Sequence, residues 1–294
     1  MKKESLYLNS SSDGTKLYTT YFIPKNKPKG IIQFAHGMCE YQDYYYDMME
    51  FFTKKGYITI INDHRGHGKS IKSNDDLGFF YDETGKYVVD DLYDVTKFIK
   101  NKYKKIPVYM FGHSMGSLIV RSYIKKYDKE IDKLIVCGSP SLRNAKVECK
   151  LLKMIRTIKG ERYRSVMLKN MALTKETTDK WLSINKEYTN TYDKDPKCNY
   201  LFTVNGYINI SNMLIDVYSK DGWALNNKNL KILFIAGEND PIIINEAKWH
   251  KSIDFLKNVG YKNIEYILYD GFKHAVFKDD EKLVCEDILK FIEK

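Results

Sequence analysis

Ser114, Asp240 and His274 lie far apart in the chain, yet their types are those that turn an alcohol into a nucleophile. A serine hydroxyl attacks poorly near neutral pH unless an imidazole takes its proton, and the imidazole needs a carboxylate to orient it. Ser114 stands in Gly112-His113-Ser114-Met115-Gly116, between the apolar run "PVYMF" and residues Ile119, Tyr123 and Tyr127 at helical spacing. Glycines two residues either side of a serine, between a strand and a helix, mark a nucleophile elbow. Such a turn exposes the hydroxyl above the sheet, and the following helix aims its N-terminal N–H groups where an oxyanion develops.

The partners of an elbow serine follow in the order carboxylate, then histidine, each past the end of a strand. "KILFIAGENDPI" places Asp240 after one such run, with Pro241 stiffening the turn, and "YILYDGFKHAVF" places His274 after the next. Glu238 competes with Asp240 but sits nearer the strand end and lacks the Asp-Pro turn. Asp270 stands close to His274 along the chain, on the strand that leads to it. His250 lies on a helical pattern with Ala247 and reads as a surface histidine. His64 and His67 precede the serine and read as loop hydrogen-bonding residues. A tetrahedral intermediate needs two N–H donors. Met115, after the nucleophile, supplies one; Met38, beside Gly37 in "HGMCEY", supplies the other. Cys39 has no assigned base and reads as a packed, inert thiol. This chemistry calls for no metal and no cofactor.

Positioning these groups is the work of short apolar runs: "LYLN" near Leu6, then Lys16–Ile23, Gly30–Ala35, Tyr57–Asn62, Pro107–Gly112, Lys133–Gly138, Lys231–Gly237 and Ile264–Asp270. Several are almost continuously apolar, the pattern of parallel strands buried on both faces. Helical spacing fills the gaps: Val89, Leu92, Val95, Phe98 and Ile99 before Pro107, and Ile288, Leu289 and Ile292 at the end. The expectation is an α/β fold with a mostly parallel eight-stranded sheet, an opening antiparallel pair and helices on both faces. One block breaks the alternation. From Ser141 to Gly222 no buried strand is visible, and so long a stretch reads as a helical cap inserted over one end of the sheet. The expected organisation is 1–140 and 223–294 as two parts of one core, with 141–222 as the insertion.

Lys and Arg total 48 against 38 Asp and Glu, a net charge of +10 that scatters along the chain rather than forming an RNA-binding signature. No nucleic-acid partner is expected. Five cysteines, Cys39, Cys137, Cys149, Cys198 and Cys285, are odd in number and widely spaced, which suits a reducing compartment. The opening "MKKESLYLNSSSDG" has no apolar stretch of a signal peptide, and the expected location is cytoplasmic.

With these residues placed, the chain resembles the α/β-hydrolase superfamily, specifically its monoacylglycerol lipase and lysophospholipase branch, also grouped with serine aminopeptidases. The resemblance spans nearly the whole length and rests on "HGMCEY", "DHRGHGKS" (63–70), "GHSMG", "DPKCNYLFTVNGY" (195–207), "GENDPI" (237–242) and "GFKHAVF" (271–277). It implies Ser114, Asp240 and His274 as a triad, Met38 and Met115 as the oxyanion hole, and an acyl-chain tunnel under the cap. The loop after the oxyanion strand departs from the family pattern His-Gly-x-x-Glu-His-x-x-Arg-Tyr: Tyr41 and Tyr44 stand at its His and Arg positions.

The expected activity is therefore hydrolysis of a small-molecule acyl ester, such as a monoacylglycerol or lysophospholipid. Amide cleavage by an aminopeptidase is the alternative, and a non-catalytic ligand-binding relic would lack a triad member. From Arg143 to Lys169 nine Lys and Arg face two Glu. Val147, Leu151, Ile155 and Ile158 recur there at helical spacing. This segment reads either as a solvated helix packed on the sheet by its apolar stripe or as a transient contact with anionic lipid surfaces.

Overall fold

Strands β1 (Lys2–Asn9), β2 (Lys16–Ile23), β3 (Gly30–Ala35), β4 (Tyr57–Asn62), β5 (Val108–His113), β6 (Lys133–Cys137), β7 (Lys231–Gly237) and β8 (Asn263–Tyr269) form an eight-stranded sheet. Its spatial order is β1-β2-β4-β3-β5-β6-β7-β8. The pairs β1/β2 and β2/β4 are antiparallel and all later pairs are parallel. The coordinates are a computed structural model that describes residues 1–172 and 181–294.

Burial explains the unbroken apolar runs. In β3, Ile31 and Ala35 enter one core while Ile32 and Phe34 enter the other. The same alternation sends Val108 and Met110 of β5 to the first core, and Tyr109 and Phe111 to the second. A strand clothed on both faces must be apolar at every position. Gln33 is the exception, and its amide is fully paired: Nε2 donates to the Leu92 carbonyl (2.8 Å) and Oε1 accepts from Thr96 Oγ1 (2.7 Å).

Helix α1 (Tyr46–Lys54) follows β3, α2 (Lys86–Lys102) follows β4, and α3 (Met115–Tyr127) follows β5. Between β6 and β7 the described residues hold only helices and connections: α4 (Ala145–Lys159), α5 (Val166–Ala172), α6 (Lys186–Lys194) and α7 (Val204–Val217). The part of the expected insertion at 173–180 lies outside the described residues. Helix α8 (Glu246–Val259), the short α9 (Val276–Asp279) and α10 (Glu281–Glu293) complete the chain. The first core gathers α2, α3, α7 and α8, and the second gathers α1 and α10, so helices cover both faces.

Two details concern the 141–222 stretch. Helix α7 is stitched to the segment before α2 by Asn205, whose Oδ1 accepts from Phe80 N (2.9 Å), and Asn209, whose Oδ1 accepts from Gly85 N (2.7 Å). These asparagines give the "TVNGY" run its part in the fold. Helix α4 departs from the sequence reading. It packs on α7 through Ala145, Cys149 and Leu152, while Val147, Leu151 and Ile158 of the expected packing stripe face solvent.

Candidate active site

Strands β3, β5, β6, β7 and β8 are neighbours and parallel, so the loops at their C-terminal ends share one rim of the sheet. That rim is where an open α/β sheet presents its chemistry. Ser114, Asp240 and His274 all stand there, as do Gly37 and Met38 after β3 and Gly138 after β6.

Ser114 caps the N-terminus of α3 with φ 53° and ψ −118°, a conformation that only a tightly braced turn holds. The bracing is visible in the two glycines. A Cβ on Gly116 would run into the backbone carbonyls of Ala35 and His36, and one on Gly112 would stand 2.5 Å from the Gly116 carbonyl oxygen and 2.6 Å from Val120. Main chain from β3 and α3 thus closes on the elbow, leaving no room for side chains. The Ser114 N–H donates to the Cys137 carbonyl (2.9 Å), which ties the turn to β6.

His274 Nδ1 lies 2.8 Å from Asp240 Oδ2, and both side chains are buried. The other Asp240 oxygen, Oδ1, accepts from the Ile242 N–H (2.8 Å), so the carboxylate is held at both ends. Glu238 and Asp270 are exposed, whereas both members of this pair are buried. His250 is partly buried beside Glu246 and Tyr266, away from the rim. The His274 ring packs against Trp181 (centroids 4.9 Å apart) and His113 (4.7 Å), and Gly138 leaves room for it from below. Its Nε2 is buried without a hydrogen-bond partner, so no bond to the Ser114 hydroxyl is formed in this state. Both residues nevertheless line one cavity of about 410 Å³, together with Gly37, Met38, Met115 and Leu118. Met115 opens α3, where the first N–H groups have no intrahelical acceptor. Gly37 brings the β3 loop to the serine: a Cβ there would stand 3.2 Å from Ser114 Cβ.

A buried network behind this rim escaped the sequence reading. Glu40 Oε1 accepts from the Tyr45 hydroxyl (2.6 Å), from the Gly37 N–H, and lies 3.2 Å from His113 Nδ1. His113 Nε2 in turn faces the His274 carbonyl oxygen (3.3 Å). One carboxylate therefore links the oxyanion loop, the residue before the nucleophile and the main chain of His274. Burial pushes the Glu40 carboxyl up, but the hydrogen bond and charge of His113, with the Tyr45 hydroxyl, outweigh it and hold it down at about 2. Glu40 was visible in "HGMCEY", but nothing in the sequence joined it to Tyr45 and His113.

The remaining assignments separate cleanly. Cys39 is buried, its Sγ faces the Tyr200 carbonyl, and burial pushes its thiol up to about 12, which leaves no thiolate for nucleophilic work. His67 makes the expected loop bond through Nδ1 to the Arg65 carbonyl (3.1 Å), whereas both ring nitrogens of His64 are buried without partners, a correction to its reading. Among the described residues no group of three or more His, Cys, Asp and Glu is arranged to hold a metal ion, and no helix is long and apolar enough to cross a membrane. The cavity wall is mixed: Leu118, Tyr207, Ile210 and Leu214 give it an apolar side, and Arg143, Lys169 and Asp193 give it charged ones.

The family described as serine aminopeptidase, S33 matches the chain over residues 26–281. A monoglyceride lipase homolog of Monkeypox virus is 24% identical over 285 residues, covering 96% of this chain and 94% of the viral protein. A monoacylglycerol lipase of Mycolicibacterium smegmatis is 23% identical over 283 residues, covering 95% of this chain and 93% of its own. Among solved structures, a thermostable carboxyl esterase from Bacillus coagulans in complex with glycerol superposes with a TM-score of 0.89 at 24% identity, covering 100% of this chain and 98% of that one. The fold is that of the α/β-hydrolases.

Proposed function

Because the chain belongs to the serine aminopeptidase S33 family, we propose that it is a serine carboxylic-ester hydrolase that cleaves lipid-like acyl esters through an acyl-enzyme on Ser114. The observation that carries this reading is the His274–Asp240 pair at 2.8 Å, with Nε2 unengaged in the cavity that Ser114 enters from its elbow. Asp240 accepts from Nδ1–H, which leaves the lone pair on Nε2 to act as base. A Ser–His bond that forms only with substrate bound is common in such sites.

In the proposed cycle Ser114 Oγ attacks the ester carbonyl carbon as its proton passes to His274 Nε2. The oxyanion is held by the N–H groups of Met38 and Met115. Collapse breaks the bond between carbonyl carbon and alkoxy oxygen, and His274 returns the proton to the departing alcohol. Water then attacks the acyl-enzyme, giving its proton to His274, and the second collapse releases the acid and restores the Ser114 hydroxyl. The described helices between β6 and β7, α4 to α7, act as a cap over this site, and the apolar wall made by Leu118, Tyr207, Ile210 and Leu214 receives the acyl chain. Monoacylglycerols and lysophospholipids fit that description, the former in keeping with the names of the relatives. Amide cleavage at a free amino terminus would favour an anionic pocket. Here Glu40 is consumed by its network, and Asp193 is outnumbered by Arg143 and Lys169.

The test is a series of nitrophenyl esters of increasing chain length, run beside aminoacyl-nitroanilides. Ser114→Ala should lower turnover by about six orders of magnitude while leaving the melting temperature essentially unchanged. Nitroanilide cleavage without ester cleavage, or full ester turnover by the variant, would sink the proposal.

A further inference from the structure

We propose that Arg121 holds a small monovalent anion, an ion of the size of chloride, behind the catalytic rim. Arg121 stands on α3 about two turns after Ser114, and its side chain is fully buried. Its Nη1 donates to Ser139 Oγ (3.1 Å), and its guanidinium lies over the Tyr218 ring, 4.6 Å from the centroid. These contacts fix the group and leave one edge of it unused. Nε and Nη2, the two nitrogens of that edge, are buried without a hydrogen-bond partner among the described residues. A guanidinium keeps its proton inside a protein, where a buried amine or imidazole can shed one, so its charge needs a partner.

Arg65 shows what such an edge grips. It is equally buried, and its Nε and Nη2 donate side by side to the two oxygens of Asp91 at 2.7 and 2.9 Å, the fork by which arginine recognises anions. Arg121 presents the same pair of N–H groups, and no described carboxylate meets them. Asp216, two residues before Tyr218, is engaged elsewhere: Oδ1 accepts from Lys125 Nζ and Oδ2 from Ser122 Oγ, both at 2.8 Å. The Tyr218 hydroxyl is committed to the Pro140 carbonyl (3.1 Å) and to Ser252 Oγ (2.5 Å). Water at the edge would accept both bonds, but it would bring two protons that need acceptors and leave the charge uncancelled. A small anion accepts both bonds and cancels the charge. A divalent ion such as sulfate would bury a second charge with no cation to match it. The ion braces α3, which begins at Ser114, against the loop after β6, where Ser139 follows the Gly138 that packs under His274.

This site stands independently of the chemistry proposed for Ser114 and is read without any substrate. Thermal melts of the full chain in sodium chloride and in sodium gluconate, matched in ionic strength, separate the small ion from general screening. Gluconate is too large to enter a site closed around a fully buried side chain. Wild type should gain stability as chloride replaces gluconate, its melting temperature rising by roughly 4 °C at about a hundredfold excess over the dissociation constant. Arg121→Met removes the charge and keeps the stem. It should show no chloride response, and in gluconate it should melt at or above wild type, because the buried cation leaves together with its need for an ion. Wild-type crystals grown in sodium bromide should carry an anomalous peak within hydrogen-bond reach of both Nε and Nη2. The bromide measurement and the wild-type melts do not depend on the variant folding. A water at that edge with no bromide signal would overturn the proposal, as would equal wild-type melts in the two salts. So would an Arg121→Met variant that responds to chloride as wild type does.

Discussion

His36 has only one protonation state that satisfies its surroundings. Its Nδ1 faces the Gly37 carbonyl (2.8 Å) and must donate, while its Nε2 accepts from the His64 N–H (2.9 Å). A second proton on Nε2 would expel that N–H from the loop that carries Gly37 and Met38. The rings of His64 and His67 pack on it, with centroids 4.2 and 5.2 Å away. Burial pushes all three imidazoles down, His64 to about 3, His67 to about 4, and His36 well below its ordinary value. Unfolded histidines take a proton near pH 6.5 and the buried rings do not, so stability present above that pH is lost as the pH falls towards 4. Asp63 opposes them: burial raises its carboxyl to about 7, so its contribution is present in acid and lost as the pH rises. Three groups outweigh one, and unfolding between pH 6.5 and 4 should take up about two protons net. Each net proton gives a slope of about 1.4 kcal/mol per pH unit. Urea unfolding at pH 7, 6 and 5 should show stability declining across the series, and His64→Phe should flatten it. A constant or rising stability would show that the cluster is not held neutral. The sequence displayed these histidines, but spacing alone could not reveal that His64 and His67 pack on His36, because that contact joins the β3 loop to the loop after β4.

At the scale of elements, the loop after β3 and the helices of 141–222 are clasped by a single carboxylate. The Tyr41 and Tyr44 hydroxyls donate to Asp195 Oδ2 at 2.8 and 3.2 Å. Asp195 follows α6, and its other oxygen accepts from the Lys197 N–H (2.8 Å). Two phenols here occupy the positions where the resembled family carries His and Arg, so the departure noted in the sequence still joins this loop to the α6–α7 connection. Bonds to a charged acceptor contribute about 1.5–3 kcal/mol each, and removing the shared acceptor should cost more than removing either donor. Asp195→Ala should therefore lower stability by about 2–4 kcal/mol, with Tyr41→Phe and Tyr44→Phe each costing less. In the Asp195→Ala background the two phenylalanine changes should cost almost nothing further. Thermal melts of the single and double variants check this, and strictly additive losses would mean the phenols act elsewhere. Other elements were more legible. The parallel strands announce themselves because burial on both faces demands unbroken apolar runs, and the elbow because only glycine fits at 112 and 116. Helix α4 was misread because a period of 3.6 identifies a stripe without saying what lies against it. Its inner face joins two small residues, Ala145 and Cys149, to Leu152, and together they carry less hydrophobic signal than the outer Val147, Leu151, Met154 and Ile158.

The whole molecule is a sheet between two cores, and its N-terminal turn, α2 and the loops beyond β4 meet at one buried cation. The Arg65 side chain is fully buried. Its Nε and Nη2 donate to the two oxygens of Asp91 at 2.7 and 2.9 Å, and Nη1 donates to the Phe80 carbonyl and to Asp13, both at 3.0 Å. Nη2 also reaches Ser10 Oγ (3.1 Å). Asp91 is as deeply buried as the arginine, and burial pushes its carboxyl up even with the guanidinium bound. Arg65 matters less for the attraction it adds than for the charge it neutralises. Arg65→Met should cost about 3–5 kcal/mol, because it leaves a buried carboxylate without its cation. That loss should be larger at pH 8 than at pH 5: without the guanidinium the folded Asp91 keeps its proton to higher pH than the unfolded one, and a raised carboxyl gives up stability as the pH rises. Arg65→Met with Asp91→Leu removes both charges, so it should recover part of the loss and most of the pH dependence. Urea unfolding of the three proteins at the two pH values decides it. If the single variant loses less than about 1 kcal/mol, or the double variant recovers none of the single variant's loss, the pair behaves like a surface ion pair and the meeting point is held by packing instead.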